Sequence, residues 1–441
     1  MSAMFRSFAV ANYRLWFAGA LVSNVGTWMQ RIAQDWLVLT QLTDDDATAV
    51  GVTMALQFGP QLLLLPVTGL AADRVDRRRL LITTQIAMAV LGFAMAAITL
   101  TGVATLWMVY ALALALGIAA AFDAPARQTF VSDLVPTTYL SNAVALNSAS
   151  FNAARLIGPA VAGLLIAAVG VGWVFVINAV TFGAVLLSLA MLRSDAFTAF
   201  TRPPRAPGQL LAGLRYVRSR PDIMLVLTGV AILGTFGFNF PIFISAMSRI
   251  QFGAGAGEFG VLSSVIAIGS VAGALLSARR ERPRLRTITL AAAGFGFSLG
   301  AAAVMPDPVS FGVALVLVGF AGLTVMTTAN GYVQTTTAPA MRGRVMALYI
   351  AIFMGGTPIG APLMGWVADT LGPRWSLGLG AASGIIAAGI AAVFWIRTRH
   401  VRLAWDGDGR WPISVRYGDE VEGDRELATT EIAVVETQTQ R

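Results

Sequence analysis

Gly69-Leu70-Ala71-Ala72-Asp73-Arg74-Val75-Asp76-Arg77-Arg78-Arg79 is a short, strongly basic segment between two long apolar ones, Val52 to Leu70 and Leu80 to Thr101. Each apolar run is long enough to cross a bilayer core, which takes about 20 residues. The pair therefore predicts a hairpin of two membrane spans with arginines at its tip. Basic loops stay on the cytoplasmic side, so the same segment also predicts an orientation.

Composition agrees with a membrane protein. The 441-residue chain is 56% hydrophobic and only 12% charged, where soluble domains carry about 25% charged residues. All 31 basic residues are arginine. A net charge of +8 would suit nucleic acid, but these arginines sit in short loops between apolar runs. The positive-inside bias accounts for them, and no nucleic-acid partner is expected. There is no cysteine, hence no disulfide framework, thiolate nucleophile or thiolate metal site. The single histidine, His400, lies just beyond the last apolar run. Ser-His pairs and His-rich zinc sites are therefore not expected. No Gly-x-x-x-x-Gly-Lys loop supports direct use of ATP. The chain does not read as an enzyme, and no metal or cofactor is expected. No apolar run with a small-residue cleavage site opens it, so no removed signal peptide is expected.

Twelve apolar spans are predicted, at about 14–40, 50–71, 80–101, 104–123, 140–168, 172–192, 222–247, 258–278, 287–305, 309–333, 344–368 and 375–396. Alternate loops carry the arginines: Arg74 and Arg77 to Arg79; Arg127; Arg202, Arg205, Arg215, Arg218 and Arg220; Arg279, Arg280, Arg282, Arg284 and Arg286; Arg342 and Arg344. The opposite loops carry Asp44, Asp45, Asp46, Glu258 and Asp307, with Arg249 and Arg374 as exceptions. This asymmetry predicts a multi-pass protein of the cell (inner) membrane with both termini cytoplasmic. The chain also repeats itself at an offset of 202 residues: Gly117, Gly158, Gly163 and Gly170 fall on Gly319, Gly360, Gly365 and Gly372. Two parallel six-helix halves follow, at 1–192 and 222–397. A cytoplasmic linker over 193–221 contains Pro203, Pro204, Pro207 and a basic, helix-like stretch from Gln209 to Arg220. The amphipathic pattern of that stretch suits a helix lying on membrane lipid. A tail at 398–441 has nine acids from Leu403 on and no apolar span, and should be flexible.

The spacing G-x-x-x-D-R-x-x-R-R-R at Gly69 to Arg79 resembles the loop between helices 2 and 3 of the major facilitator superfamily of transporters. It departs from the family at Asp76, where glycine is more usual. Phe122 to Arg127, Leu140-Ser141-Asn142-Ala143, Gly158-Pro159 and Arg342-Gly343-Arg344 resemble the branch that includes enterobactin exporters and related drug:proton antiporters. Gly158 to Gly163 matches the antiporter motif of helix 5 in part, without its upstream glycines. The likeness covers about residues 5 to 397. It implies an all-α membrane fold of twelve helices in two parallel repeats. In the family this loop latches the two halves on the cytoplasmic side, which implies gating roles for Gly69, Asp73, Arg74, Arg77, Arg342 and Arg344.

A charge inside a bilayer is costly, so an ionisable residue within a span is a candidate functional residue. Asn24, Trp28, Arg31 and Asp35 follow i, i+4, i+7, i+11 and share one helical face. Asp35 reads as the only acid well inside a predicted span, and so as the candidate proton carrier. Trp28 could offer its face to an aromatic or cationic substrate. Alternatively, Arg31 and Asp35 simply neutralise each other, and Trp28 is ordinary packing. Arg155, in the fifth span, could hold an anionic group or pair with Asp35. Asn239 lies beside Pro241, where the seventh span should kink. Asn330 and Gln334 continue a polar stripe on the tenth span. The family's cavity-lining helices would put Asp35, Asn239 and Asn330 near substrate; these polar groups could equally just bridge helices.

The resulting expectation is a monomeric secondary transporter, exchanging protons for small amphipathic molecules that it exports by alternating access. An importer or lipid flippase of the same fold is the alternative within transporters, and a non-transporting membrane sensor the alternative outside them.

Overall fold

The computed structural model describes residues 3–193, 209–278, 283–399, 402–405 and 413–416. Nearly all are helical. A 3-10 segment, Ala3–Ala9, leads into α1 (Ala11–Leu37), which continues as a π turn over Val38–Leu42. Then follow α2 (Ala47–Leu63), α3 (Leu65–Arg74), α4 (Arg77–Leu100), α5 (Leu106–Leu134), α6 (Thr137–Val169) and α7 (Val171–Met191). The short α8 (Gln209–Ser219) falls on the stretch expected to be helical in the linker. Beyond it come α9 (Pro221–Ile232), α10 (Phe240–Ala246), α11 (Ala256–Ala278), α12 (Leu285–Val304), α13 (Pro308–Thr336), α14 (Arg342–Thr370) and α15 (Pro373–Arg399). Two short antiparallel strands, β1 (Arg402–Trp405) and β2 (Ile413–Arg416), pair Arg402 with Arg416, where the sequence suggested no regular structure. The rest of the tail, and the linker prolines Pro203, Pro204 and Pro207, lie outside the described residues.

Ten helical segments among the described residues are long and apolar enough to cross a membrane: α4 to α7, the run Pro221–Gln251, and α11 to α15. The other two expected spans are α1 and the α2–α3 pair. α1 is diluted by Asn24, Gln30, Arg31, Gln34 and Asp35, all buried against other helices. The span expected over 50–71 is kinked at Leu64, because Pro66 has no N–H to continue the helix. The span expected to stop at 123 runs on to Leu134, which corrects the reading of Asp123 as a helix end and of Arg127 as a loop residue.

Helix ends form where capping side chains meet the chain. Asp76 accepts the N–H of Arg79 at 2.8 Å and starts α4. Its φ is −56°, so this position has no need of glycine. Asp46, Thr105 and Asp307 cap α2, α5 and α13 in the same way. Gly170 and Gly372 turn the chain with φ of +85° and +102°, conformations that side chains resist.

α1 packs on α6 and α7, α4 on α5 and α7, and α2 on α5; α11 packs on α13, and α12 on α13 and α15. The two largest crossings between these sets are α2 on α14 and α6 on α11. At the end bearing Arg77 to Arg79, here the basic end, the sets have separate cores. One contains Tyr13, Trp16 and Phe130, the other Val217, Val333 and Tyr349. In the middle and at the far end a shared core runs through both, with Met29, Trp36, Phe238, Phe259 and Met364. Outside, large apolar side chains such as Leu187, Leu290, Phe297 and Val313 are exposed. In water so much apolar surface would drive association; in lipid it is the solvated face, and the helices satisfy their own backbone. The chain is a multi-span integral membrane protein.

Candidate functional site

The polar face of α1 meets three different surroundings along its length. Nearest the basic end, Asn24 accepts from Arg127 Nη1 at 3.3 Å. Arg127 also pairs with Asp123 at 2.9 Å. Asp123 is buried and accepts from Thr84 at 2.9 Å and Gln85 at 2.7 Å. Asp35 is therefore not the only acid deep in a helix; the expectation failed because α5 is longer than its apolar run. With a bound cation and two further donors, Asp123 fits a structural role.

In the middle, Arg31 lies 4.3 Å from the Phe58 ring centroid and 5.1 Å from that of Trp28. Arg155 of α6 approaches the same Trp28 ring at 5.5 Å, and the Phe353 ring of α14 at 5.8 Å. Phe151 meets Trp28 edge-on at 5.9 Å. The approach of α6 to α1 depends on Gly158, where a Cβ would lie 2.5 Å from the Cβ of Trp28. The indole is thus shared by two guanidinium groups.

One turn beyond Arg31, Asp35 is 3% exposed and accepts a long hydrogen bond from Gln57 Nε2 at 3.5 Å. Gln57 also donates to Gln34 Oε1 at 3.3 Å, and Gln34 donates to the Val109 carbonyl at 3.3 Å. Among the described residues, neither Arg31 nor Arg155 forms an ion pair with Asp35. Neither the neutralising Arg31–Asp35 pair nor the Arg155–Asp35 pair forms. The sequence reading missed Gln57 and Phe58; a polar and an aromatic residue just ahead of Pro60 in an apolar span were the available signal.

The remaining candidates are not gathered here. Asn239 is fully buried at the break between the π turn Leu233–Gly237 and α10. It donates to the Thr235 carbonyl at 2.7 Å, and its own oxygen has no donor among the described residues. The helix breaks just before Pro241, as the sequence suggested. Gln334 donates to Asn330 at 2.7 Å near the basic end of α13.

Arg77 and Arg78 of the basic loop each bond to a helix of their own set. Arg77 Nη1 meets Asp133 at 2.5 Å and the Thr129 carbonyl at 3.2 Å, both on α5. Arg78 donates to the Leu189 carbonyl at 2.6 Å, near the end of α7. Among the described residues, the partners of Arg77 all lie within residues 3–193. Arg74 is exposed, and a Cβ at Gly69 would meet nothing within 4 Å. The Asp73 side chain lies outside what is described. Arg342 is exposed, while Arg344 packs against Gly213 of α8.

Among the described residues, hydrogen bonds and ion pairs between the two sets sit at the far end. Asp369, near the end of α14, accepts the N–H of Ala47 at 2.8 Å, the N–H of Thr48 at 2.7 Å and the Thr48 hydroxyl at 2.5 Å. Arg249 pairs with Asp45 at 2.8 Å. Arg374 donates to the carbonyls of Ala303 and Met305 at the end of α12. The two arginines that broke the charge rule therefore have specific acceptors. Nearby, α6 and α11 cross at Gly163 and Gly260, where a Cβ on either would overlap the facing backbone.

Residues 2–412 match the profile of a family described as transmembrane secretion effector. The staphyloferrin A transporter of Staphylococcus aureus is 26% identical over 405 residues, covering 88% of this chain and 97% of that protein. Enterobactin exporter EntS of Escherichia coli K12 is 26% identical over 397 residues, covering 88% and 93%. In fold the chain is similar to a bacterial homologue of the human lysosomal transporter Spinster, with a TM-score of 0.64 and 14% identity over 87% of this chain and 95% of that one.

Proposed function

We propose that this chain, which belongs to the transmembrane secretion effector family of the major facilitator superfamily, exports small amphipathic molecules across the cell membrane by proton-coupled alternating access. It is a membrane transporter with a small-molecule substrate and not an enzyme. The export direction is inferred from the enterobactin exporter among its relatives. Alternating access is supported by the unequal ends: far-end contacts tie the two sets together, while at the basic end their cores are separate. We read the sets as two six-helix halves, 1–192 and 222–397, of a twelve-span monomer with cytoplasmic termini. The glycine repeat supports this, since Gly158 meets α1 as Gly360 meets the π turn after α9.

The observation that carries proton coupling is Asp35. A carboxylate buried in a membrane bundle is costly unless paired, and among the described residues this one has a single long bond to an amide. Taking up and releasing a proton is the inexpensive response. Arg77 and Asp133 would then stabilise the first half, and the Arg344–α8 contact the linker, on the cytoplasmic side.

The test uses proteoliposomes with an imposed pH gradient and a fluorescent efflux substrate, with and without a protonophore. Wild type should move substrate against its gradient only while the pH gradient lasts. Asp35→Asn should reach the membrane normally and lose that uphill movement. Uphill transport at the normal rate by Asp35→Asn would refute the carrier role, and uphill movement in the opposite direction would establish import.

A further inference from the structure

We propose that the Arg31–Trp28–Arg155 cluster is an anion site, and that its ligand is a small organic anion whose planar unsaturated part lies against Phe58, Phe151 or Phe353. This deepens the transporter reading above and rests on it for the statement that the ligand is cargo.

Charge balance points to an anion. Arginine stays protonated, and buried charges in proteins are paired. Here two guanidinium groups converge on one indole with no carboxylate in ion-pair contact among the described residues. Even with Asp35 ionised the cluster holds one positive charge in excess. Arg31 is 8% exposed and its buried Nε has no acceptor among the described residues. A buried donor without a partner is expensive, and an anion would satisfy both the hydrogen bond and the charge.

Geometry points to an organic ion. Three aromatic rings, Trp28, Phe58 and Phe353, lie against the two cations and a fourth, Phe151, meets Trp28; ring faces already engaged by guanidinium have little left to attract a further cation. Phe151 is 40% exposed, so the cluster is not sealed. Arg155 touches α1 on one side and Phe353 of α14 on the other, so a ligand held there would contact both helix sets.

The test measures binding calorimetrically to the full-length protein in lipid nanodiscs at fixed salt, with three probes sharing one ring system: 1-naphthoate, 1-naphthalenemethanol and 1-naphthylmethylammonium. The carboxylate should bind at least about tenfold tighter than the alcohol, the scale of a charge-assisted hydrogen bond, and the ammonium weakest. Arg31→Gln and Arg155→Gln should each remove most of that preference. Arg155→Lys, which keeps the charge, should retain part of it. Equal binding of carboxylate and alcohol, a preference for the ammonium, no carboxylate binding at millimolar concentration, or a preference that survives both Gln substitutions would overturn the proposal. The two readings fail separately. Transport indifferent to the protonophore would defeat proton coupling while leaving the anion preference. Loss of the anion preference with uphill transport intact would defeat the anion site alone.

Discussion

Replacing Asp369 by Ala should loosen the far-end closure without unfolding the chain. The carboxylate accepts two backbone N–H groups and one hydroxyl from the first turn of α2, across the contact between the two helix sets. Losing a helix cap costs about 0.5–2 kcal/mol. Charge-assisted bonds lie toward the upper part of that scale, but Asp369 is exposed and water replaces part of what is lost. A cost of about 1–2 kcal/mol to the closed state, or about a 5- to 30-fold change in the closed-to-open ratio, follows. Helix α2 itself should survive, because Asp46 still caps it through the Ala49 N–H at 2.8 Å. The Arg249–Asp45 pair is more than a third exposed on both sides, and such pairs are worth about 0–1 kcal/mol. Arg249→Ala should therefore shift the ratio less. The chain contains no cysteine, so spin labels can be attached through Asp44→Cys and Gln251→Cys, both at exposed far-end positions. Pulsed EPR in nanodiscs should show a single short-distance population in the background chain. A longer-distance population should grow several-fold in Asp369→Ala, and less in Asp369→Asn, whose amide oxygen still accepts. An unchanged distribution in Asp369→Ala, or a larger effect from Arg249→Ala, would refute the assignment of closure to Asp369.

Two further outcomes can be checked. Arg77→Ala and Asp133→Ala should each lower thermal stability in detergent by the equivalent of about 1–3 kcal/mol, and the double variant should cost much less than the sum, because the two groups serve one bond; additive losses would show that Arg77 acts elsewhere. Asp307 caps α13, and the N–H of Ser310, then its hydroxyl, hold the carboxyl below its ordinary value of 3.8. A depressed acid adds stability above its ordinary range and loses it as pH falls through the lowered value. Exchange protection of the Val309 and Ser310 amides should therefore be flat through the neutral and mildly acidic range and fall only below that ordinary value. A loss beginning above it would count against the cap.

The sequence by itself determined the class of protein, the presence of many long apolar helices and the basic end. Apolar length, loop charge and the period of a helix are local properties, and the bilayer makes them decisive. It also put Trp28, Arg31 and Asp35 on one face, because i, i+3 and i+7 spacing fixes that whatever the neighbours are. It could not say what Arg31 touches. Phe58 belongs to α2, Arg155 to α6 and Phe353 to α14, and only their packing turned an expected ion pair with Asp35 into a pair of cations on one indole. The same limit held for Asp123, whose helix outran its apolar stretch once Thr84, Gln85 and Arg127 satisfied it. It held for Arg77 as well: the sequence showed its charge, while the partner, Asp133, was set by the packing of α4 on α5. Periodicity tells which way a side chain points; what it meets there depends on helices far away in sequence.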